Sequence, residues 1–586
     1  MAVNWRIKTV EQSIAETDEP GTRLRKDLTW VDLAVFGVSV VVGAGIFTVT
    51  ASTAGNITGP AIIVSFLIAA VTCGLAALCY AEFASTLPVA GSAYTFSYAT
   101  FGEFVAWIIG WDLILEFAVA AAVVADGWSS YLNTVLGHLC RWAEWPPIGS
   151  LTSTFGLVRI NWSTLGIIAV VCVLLILGTR LSSMVSAVIT AIKVTVVLIV
   201  VIVGAFYITP DNYRPFIPPS ETGEAAGSGM DQSLFSMLTG AAGSHYGLYG
   251  VLAGASIVFF AFIGFDVVAT TAEETKNPQR DVAKGILTTL GIVTVLYIAV
   301  SVVLTGMVSY TALRTGPNGE RANLATAFGY HGVKWAEVVI SIGALAGLTT
   351  VVMVMVLGQT RVLFAMARDG LLPRWLARTG RRGTPVRITV VIGLLIGALI
   401  IVADSLRKMD RLEEMVNVGT LFAFVLVSAG VLVLRRTRPE LPRGFRAPWV
   451  PWLPITSILA CGWLMLNLTG YTWERFGYWM AIGLVIYFCY GRWNSRLATA
   501  EREAPANENR PGTPPEARLV PAATMLFVPV AAAHWKPASA SLSMSLALPN
   551  LSATAANVMV ISPVSGAVVA GAAGVACTMA ASRRCS

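Results

Sequence analysis

Long stretches without a charge, separated by short basic or mixed segments, set the pattern of this chain. A helix needs about 20 mostly apolar residues to cross bilayer hydrocarbon, and by that measure about twelve runs qualify. They are 30–55, 60–80, 104–126, 164–177, 184–208, 251–271, 285–307, 335–365, 388–403, 415–434, 450–468 and 477–490. The fourth, ninth and twelfth are short, so their ends are the least defined. In lipid every backbone N–H and C=O has to be satisfied inside the protein, which favours helices for runs of this length. The pattern therefore predicts an all-α polytopic membrane protein.

Composition agrees. The chain has 586 residues, 55% hydrophobic and 12% charged, with a mean hydropathy of +0.71. Soluble proteins carry roughly 25% charged residues. A net charge of +7 would point a soluble protein towards nucleic acid. Here the basic residues fall between apolar runs and read as topology signals, so no nucleic-acid partner follows. Arg23, Arg25 and Lys26 precede the first run, and Lys276, Arg280 and Lys284 follow the sixth. Arg368, Arg374, Arg378, Arg381 and Arg382 follow the eighth, and Arg435, Arg436, Arg438 and Arg443 the tenth. The long segment after the fifth run sets Arg214 against Asp211, Glu221, Glu224 and Asp231. Basic loops stay in the cytoplasm, which predicts cytoplasmic termini, an extracellular 209–249 loop and a cell-membrane location among lipid. Segment 1–27 lacks the apolar core of a cleavable signal. His138, His245, His331 and His534 are scattered, and the intramembrane cysteines form no Cys-x-x-Cys. No metal, cofactor or disulfide framework is expected, and no obligatory protein partner; a membrane enzyme would need clustered acids, bases or nucleophiles that are missing.

Two runs carry interruptions. The first contains Val42-Gly43-Ala44-Gly45-Ile46-Phe47 and the sixth Phe259-Phe260-Ala261-Phe262-Ile263-Gly264-Phe265-Asp266. Glycine lowers the cost of leaving helical geometry, although glycines in membrane helices also serve close packing. Breaks at matching places five spans apart point to an inverted-repeat transporter with its site at mid-membrane. The repeats would be 28–208 and 250–434, followed by two further spans in 435–493. A broken helix exposes unpartnered N–H groups at one end and C=O groups at the other, and the N–H end attracts anions. A zwitterionic amino acid offers one group to each. Gly43, Ala44, Gly45 and Ile46 would hold its carboxylate, and the carbonyls around Phe260, Ala261 and Ile263 its ammonium.

These residues also carry a resemblance. The stretches are Gly43 to Phe47, Tyr80-Ala81-Glu82-Phe83 continuing through Pro88 and Gly91 to Tyr94, and Gly110-Trp111 through Glu116. They are joined by Phe260 to Asp266, by Glu273-Glu274-Thr275-Lys276-Asn277-Pro278-Gln279-Arg280-Asp281 and by 361–373. Over 24–493 the chain resembles the amino acid–polyamine–organocation superfamily, and within it the cationic amino acid transporter group. The resemblance implies a leucine-transporter-type 5+5 inverted repeat with two extra helices, and transport without sodium. In proton-linked relatives a lysine on the fifth span takes the place of the sodium ion between spans one and eight.

Lys193 is the basic residue at the middle of the fifth run. An intramembrane charge is costly and marks function by default. Lys193 is the expected proton-coupling residue; a fixed cation tying span five to carbonyls of span one is the alternative. Glu116, in span three, would face the substrate and favour a cationic side chain such as arginine, lysine or ornithine, or else be a structural acid bonded to a neighbouring helix. Asp266 would pair with Lys193 or the substrate, or cap the second half of span six. Asp112 and Asp126 are expected near the ends of span three within reach of water. Tyr94, Phe96 and Tyr98 are expected at the membrane interface, and 273–284 as an interfacial cap or a solvated loop. Small neutral amino acids or a polyamine remain as alternative cargo for the same fold. The tail 494–586 is low in complexity and expected to be disordered; its apolar stretch 561–581 is rich in Ala and Gly, which drive insertion poorly.

Overall fold

The computed structural model describes residues 6, 27–43, 45–87, 92–146, 151–178, 183–221, 229–240, 245–315, 322–380, 384–406 and 409–503. Almost all of the expected tail, from 504 onwards, lies outside the described residues.

A helix covers each of the twelve runs. Span one starts as α1 (Trp30–Val41), breaks, and resumes as the π-turn Gly45–Val49, the short α2 (Thr50–Thr53) and a second π-turn, Ala54–Thr58. A turn at Gly59 leads into α3 (Ile62–Thr86), the second span. A short helix, α4 (Ser92–Thr100), precedes the third span, α5 (Glu103–Trp142). Spans four and five are α6 (Trp162–Leu177) and α7 (Ser183–Ala205). A short α8 (Leu234–Thr239) comes before span six, which opens as α9 (Gly247–Val258). Then follow α10 (Pro278–Met307), a short α11 (Leu324–Tyr330), α12 (Lys334–Arg368) and α13 (Val386–Ser405). The last three spans are α14 (Leu412–Thr437), α15 (Trp452–Leu466) and α16 (Gly470–Ile486). Among the described residues, 8 segments are long and apolar enough to cross a membrane, one of them covering spans one and two together. The fold is all-α and polytopic.

Three features depart from the sequence expectation. Helix α5 has 40 residues, about 60 Å at 1.5 Å per residue, and runs well past Asp126. Its second half continues with Gly127, Ser129 and Tyr131 buried against neighbours, so protein contacts stand in for lipid. Between spans three and four lies a hairpin, β1 (Thr152–Phe155) and β2 (Val158–Asn161), paired Thr152 to Asn161 and turning at Gly156 with φ +61°. Arg159 joins it to span nine through Asp404 at 3.6 Å. Ordered structure also continues past 494, in a short helix Arg496–Glu503.

One end of the bundle is held by carboxylates. Glu82, buried at the foot of α3, receives Arg435 through both nitrogens (2.8 and 2.6 Å) and the Ala447 N–H (2.8 Å). Such a two-pronged pair is strong and geometrically fixed. Glu103, the first residue of α5, accepts Ser495 Oγ at 2.7 Å, Tyr487 Oη at 3.2 Å and Tyr98 Oη at 3.5 Å. It also meets Arg6 at 3.5 Å, while its own N–H donates to the Arg6 carbonyl at 2.8 Å. Tyr94 Oη donates to Asp369 at 2.8 Å, and Phe96 stacks on Phe83. Tyr94, Phe96 and Tyr98 are therefore buried by protein contacts. Helix α4 tucks beneath the bundle, where its aromatic rings find both apolar surface and acceptors.

Candidate functional site

Both interrupted spans are broken, and the breaks touch. Helix α1 ends at Val42, whose ψ of 89° leaves the helical range. Span six tightens into the 3₁₀ turn Phe259–Phe262, extends at Ile263 (ψ 136°) and restarts at Asp266. Gly264 sits at φ +113° with Val40 close behind it, a conformation and a space that both need glycine. At the crossing, Gly45 lies against the backbone of Ala261, and Gly43 against Val351 of α12. Ile46, Phe260, Ala261 and Ile263 are buried around this point. Ala44 lies outside the described residues.

The carbonyls freed by the breaks go to side chains from other spans. A helix C-terminus leaves its last C=O groups without partners inside the helix. Lys193, fully buried on α7, donates its Nζ to the Ser39 carbonyl. Its methylene stem lies along Gly347 of α12, so it stands between spans one, five and eight. Tyr297 of α10 reaches both breaks, with Oη 2.7 Å from the Val41 carbonyl and 2.9 Å from that of Ala261. Asn417 of α14 donates Nδ2 to the Ser256 carbonyl at 2.8 Å and to that of Ile257 at 3.2 Å. Tyr131 of α5 holds the Phe47 carbonyl at 2.6 Å.

Tyr297 and Asn417 had no assigned role, although each leaves a signal. Tyr297 is the sole aromatic residue of run 285–307, and Asn417 the sole amide of 415–434. A polar group at that depth has to find a partner. Tyr297→Phe removes one hydroxyl from two acceptors. An unsatisfied buried acceptor costs about 1–3 kcal/mol. The variant should unfold a few degrees earlier and show a substrate KM raised about tenfold, measured by thermal melting and by uptake in liposomes.

The acids are gathered below the break of span six. Glu116 on α5 is electrostatically opposed by Asp266 and by Asp112, one turn before it. All three are buried. Both oxygens of Asp112, Glu116 Oε1 and Asp266 Oδ1 lack a hydrogen-bond partner in the structure. Asp112 thus lies deep in the bundle, against Gly419, and not near water at the end of span three. Asp266 is the first residue of the second half of span six, directly after Phe265, and Phe265 provides no side-chain cap. Among the described residues Asp266 forms no ion pair with Lys193, whose Nζ goes to the Ser39 carbonyl. Asp126 lines a separate cavity of about 40 Å³ on the other side of the crossing, with Thr48, Ser130, Asn323 and Glu413, room for a few waters.

Known proteins add to this geometry. Residues 28–487 match the family model for amino acid permeases. The chain is 41% identical to the branched-chain amino acid permease BcaP of Bacillus subtilis over 499 residues, covering 84% of this chain and 98% of that protein. It is 38% identical to the methylthioribose transporter of the same organism over 498 residues, covering 85% and 100%. With cationic amino acid transporter 1 of Arabidopsis thaliana it shares 30% over 532 residues, covering 80% and 83%. The chain belongs to the amino acid permease family of multi-pass membrane transporters.

Proposed function

We propose that the chain is a proton-coupled, sodium-independent permease whose crossed breaks grip the α-carboxylate and α-ammonium of an amino acid, and that apolar side chains are its main cargo. The observation that carries the coupling is Lys193 Nζ on the Ser39 carbonyl, beside Gly347 of span eight. A lysine ammonium fixed between spans one and eight fills the place where a sodium ion would sit, and it can gain and lose a proton. Repeats over 28–208 and 250–434 would exchange access by rocking about the crossing. The cytoplasmic side would be the face that carries Glu82, Glu103 and the basic loops, in a cell membrane.

The choice of cargo rests on the lining and the relatives. Val351, Phe260 and Ile263 present apolar surface around the crossing, which suits a branched side chain. The relative of 41% identity is named for branched-chain amino acids. A second reading, a preference for cationic amino acids, is favoured by one observation: Glu116 keeps an oxygen without a partner beside two further acids.

Uptake into liposomes tests both readings. Leucine should accumulate under an inward proton gradient, collapse with a protonophore and be indifferent to replacing sodium with choline. Accumulation that follows a sodium gradient would remove the coupling proposal. Glu116→Gln separates the cargoes. If a cationic side chain pairs with Glu116, lysine and arginine uptake should fall about 100-fold or more beyond alanine or leucine uptake, since breaking a buried charge pair costs about 3–5 kcal/mol. Equal losses for all substrates would assign Glu116 a structural role.

A further inference from the structure

We propose that the open cavity at the inner foot of spans one, six and seven binds the phosphate headgroup of an anionic lipid, held by Lys276, Arg280 and Lys284. The cavity measures about 830 Å³, and Thr29, Trp30 and Asn277 complete its wall. All three cations are exposed there. They follow one another at four-residue spacing, which puts Arg280 and Lys284 on one face of the first turns of α10.

By the ordinary rules of helix electrostatics this is a poor arrangement. Cations at a helix N-terminus oppose its dipole, and like charges four apart repel. Asp281, the acid in the first turn, offsets one charge of the three. Asn277 provides no side-chain cap. Asp32, the acid acting on Lys276 from span one, is committed to Thr29 through bonds of 2.9 and 2.7 Å. Among the described residues none of the three cations has an ion-pair partner. An anion bound between them would reverse each of these penalties and sit at the positive end of the helix dipole.

The position specifies a lipid rather than a soluble anion. Trp30, 41% exposed, stands on the rim, as interfacial aromatics do at headgroup depth. The basic loop after span ten is adjacent, with Gly444 against Gln279 and Arg446 exposed. Clustered cations just cytoplasmic of a span attract the anionic lipids of that leaflet; this step rests on the orientation proposed above. The cavity also sits where the two broken spans are joined at their inner ends, by pairing of Leu28 with Thr275 and a 2.9 Å bond from the Lys276 N–H to the Leu28 carbonyl. A headgroup held there ties the foot of span one to the end of span six and favours the state closed on that side.

Native mass spectrometry of the purified full chain tests this, with phosphatidylglycerol, phosphatidylcholine and inorganic phosphate as separate probes. Phosphatidylglycerol should bind, and Lys276→Gln/Arg280→Gln/Lys284→Gln should weaken it by about tenfold or more. Arg374→Gln/Arg378→Gln, basic changes on the same side but away from the cavity, should leave it unchanged. Equal retention of phosphatidylglycerol by the triple variant, equal binding of phosphatidylcholine, or inorganic phosphate displacing the lipid would each overturn the proposal. If the triple variant does not elute as a folded monodisperse species, the exposed single change Lys284→Gln decides, with about threefold weaker binding expected and none lost if the idea is wrong. Leucine uptake measured in parallel keeps this result apart from the transport proposal.

Discussion

Lys193→Ala is expected to reduce proton-driven leucine accumulation about 100-fold while leaving a folded protein. The ammonium is the described donor to the Ser39 carbonyl, and losing it leaves a buried acceptor bare at a cost of about 1–3 kcal/mol. The Lys193 stem also fills the space beside Gly347, so its removal opens a gap between spans five and eight. Those two terms lower the melting temperature by several degrees. The larger effect is on coupling, because no other basic side chain lies within that stretch of span five. A buried hydrogen bond from a charged donor contributes about 1.5–3 kcal/mol, or one to two orders of magnitude at about 1.4 kcal/mol per tenfold. Lys193→Arg sharpens the test. A guanidinium keeps its charge throughout the accessible pH range, so this variant should hold the structure and still lose proton dependence. Wild-type accumulation and pH response in the alanine variant would remove Lys193 from the coupling step.

Gly45→Ala should be nearly as damaging, for a steric reason. A β-carbon at position 45 would overlap the backbone and β-carbon of Ala261. Backbone cannot swing aside as a side-chain tip can, so spans one and six would have to part at their crossing. Overpacking of this kind costs about 1–3 kcal/mol, and it falls on the atoms proposed to hold the substrate. Uptake should drop about 30-fold, mostly as a loss of apparent affinity. Gly166→Ala is the matched control: it sits in α6 with nothing within 4 Å of its added carbon, and gaining a better helix former it should be neutral or slightly stabilising. Near-normal uptake by Gly45→Ala would mean that the breaks do not need to touch during the cycle.

The spans were readable because membrane insertion is a local rule. Run length and hydropathy suffice to place a helix over each apolar segment, and the glycines of 43–45 and 264 mark where two of them fail. What escaped depends on contacts far apart in the chain. Nothing near Tyr94 tells that Asp369 will accept its hydroxyl, and nothing near Asp112 tells that Gly419 will cover it. An acid in an apolar run looks the same whether it reaches water or not. Helix α5 runs beyond the apolar run that ends at Asp126, because in its less apolar second half burial by protein contacts replaces the lipid test with a packing test. The lysine position was legible as a costly charge, whereas its acceptor, Ser39, became visible with the fold.

The knot at Glu103 has a consequence for how the protein is made. Its carboxylate is shared by Arg6 near the start of the chain and by Tyr487 and Ser495 at the far end of the bundle. A ribosome delivers these groups almost five hundred residues apart, at about 5–20 residues per second. Until the last of them emerges, this end of a nascent molecule lacks its fastening, so half-made copies remain unlatched on that face for much of their synthesis.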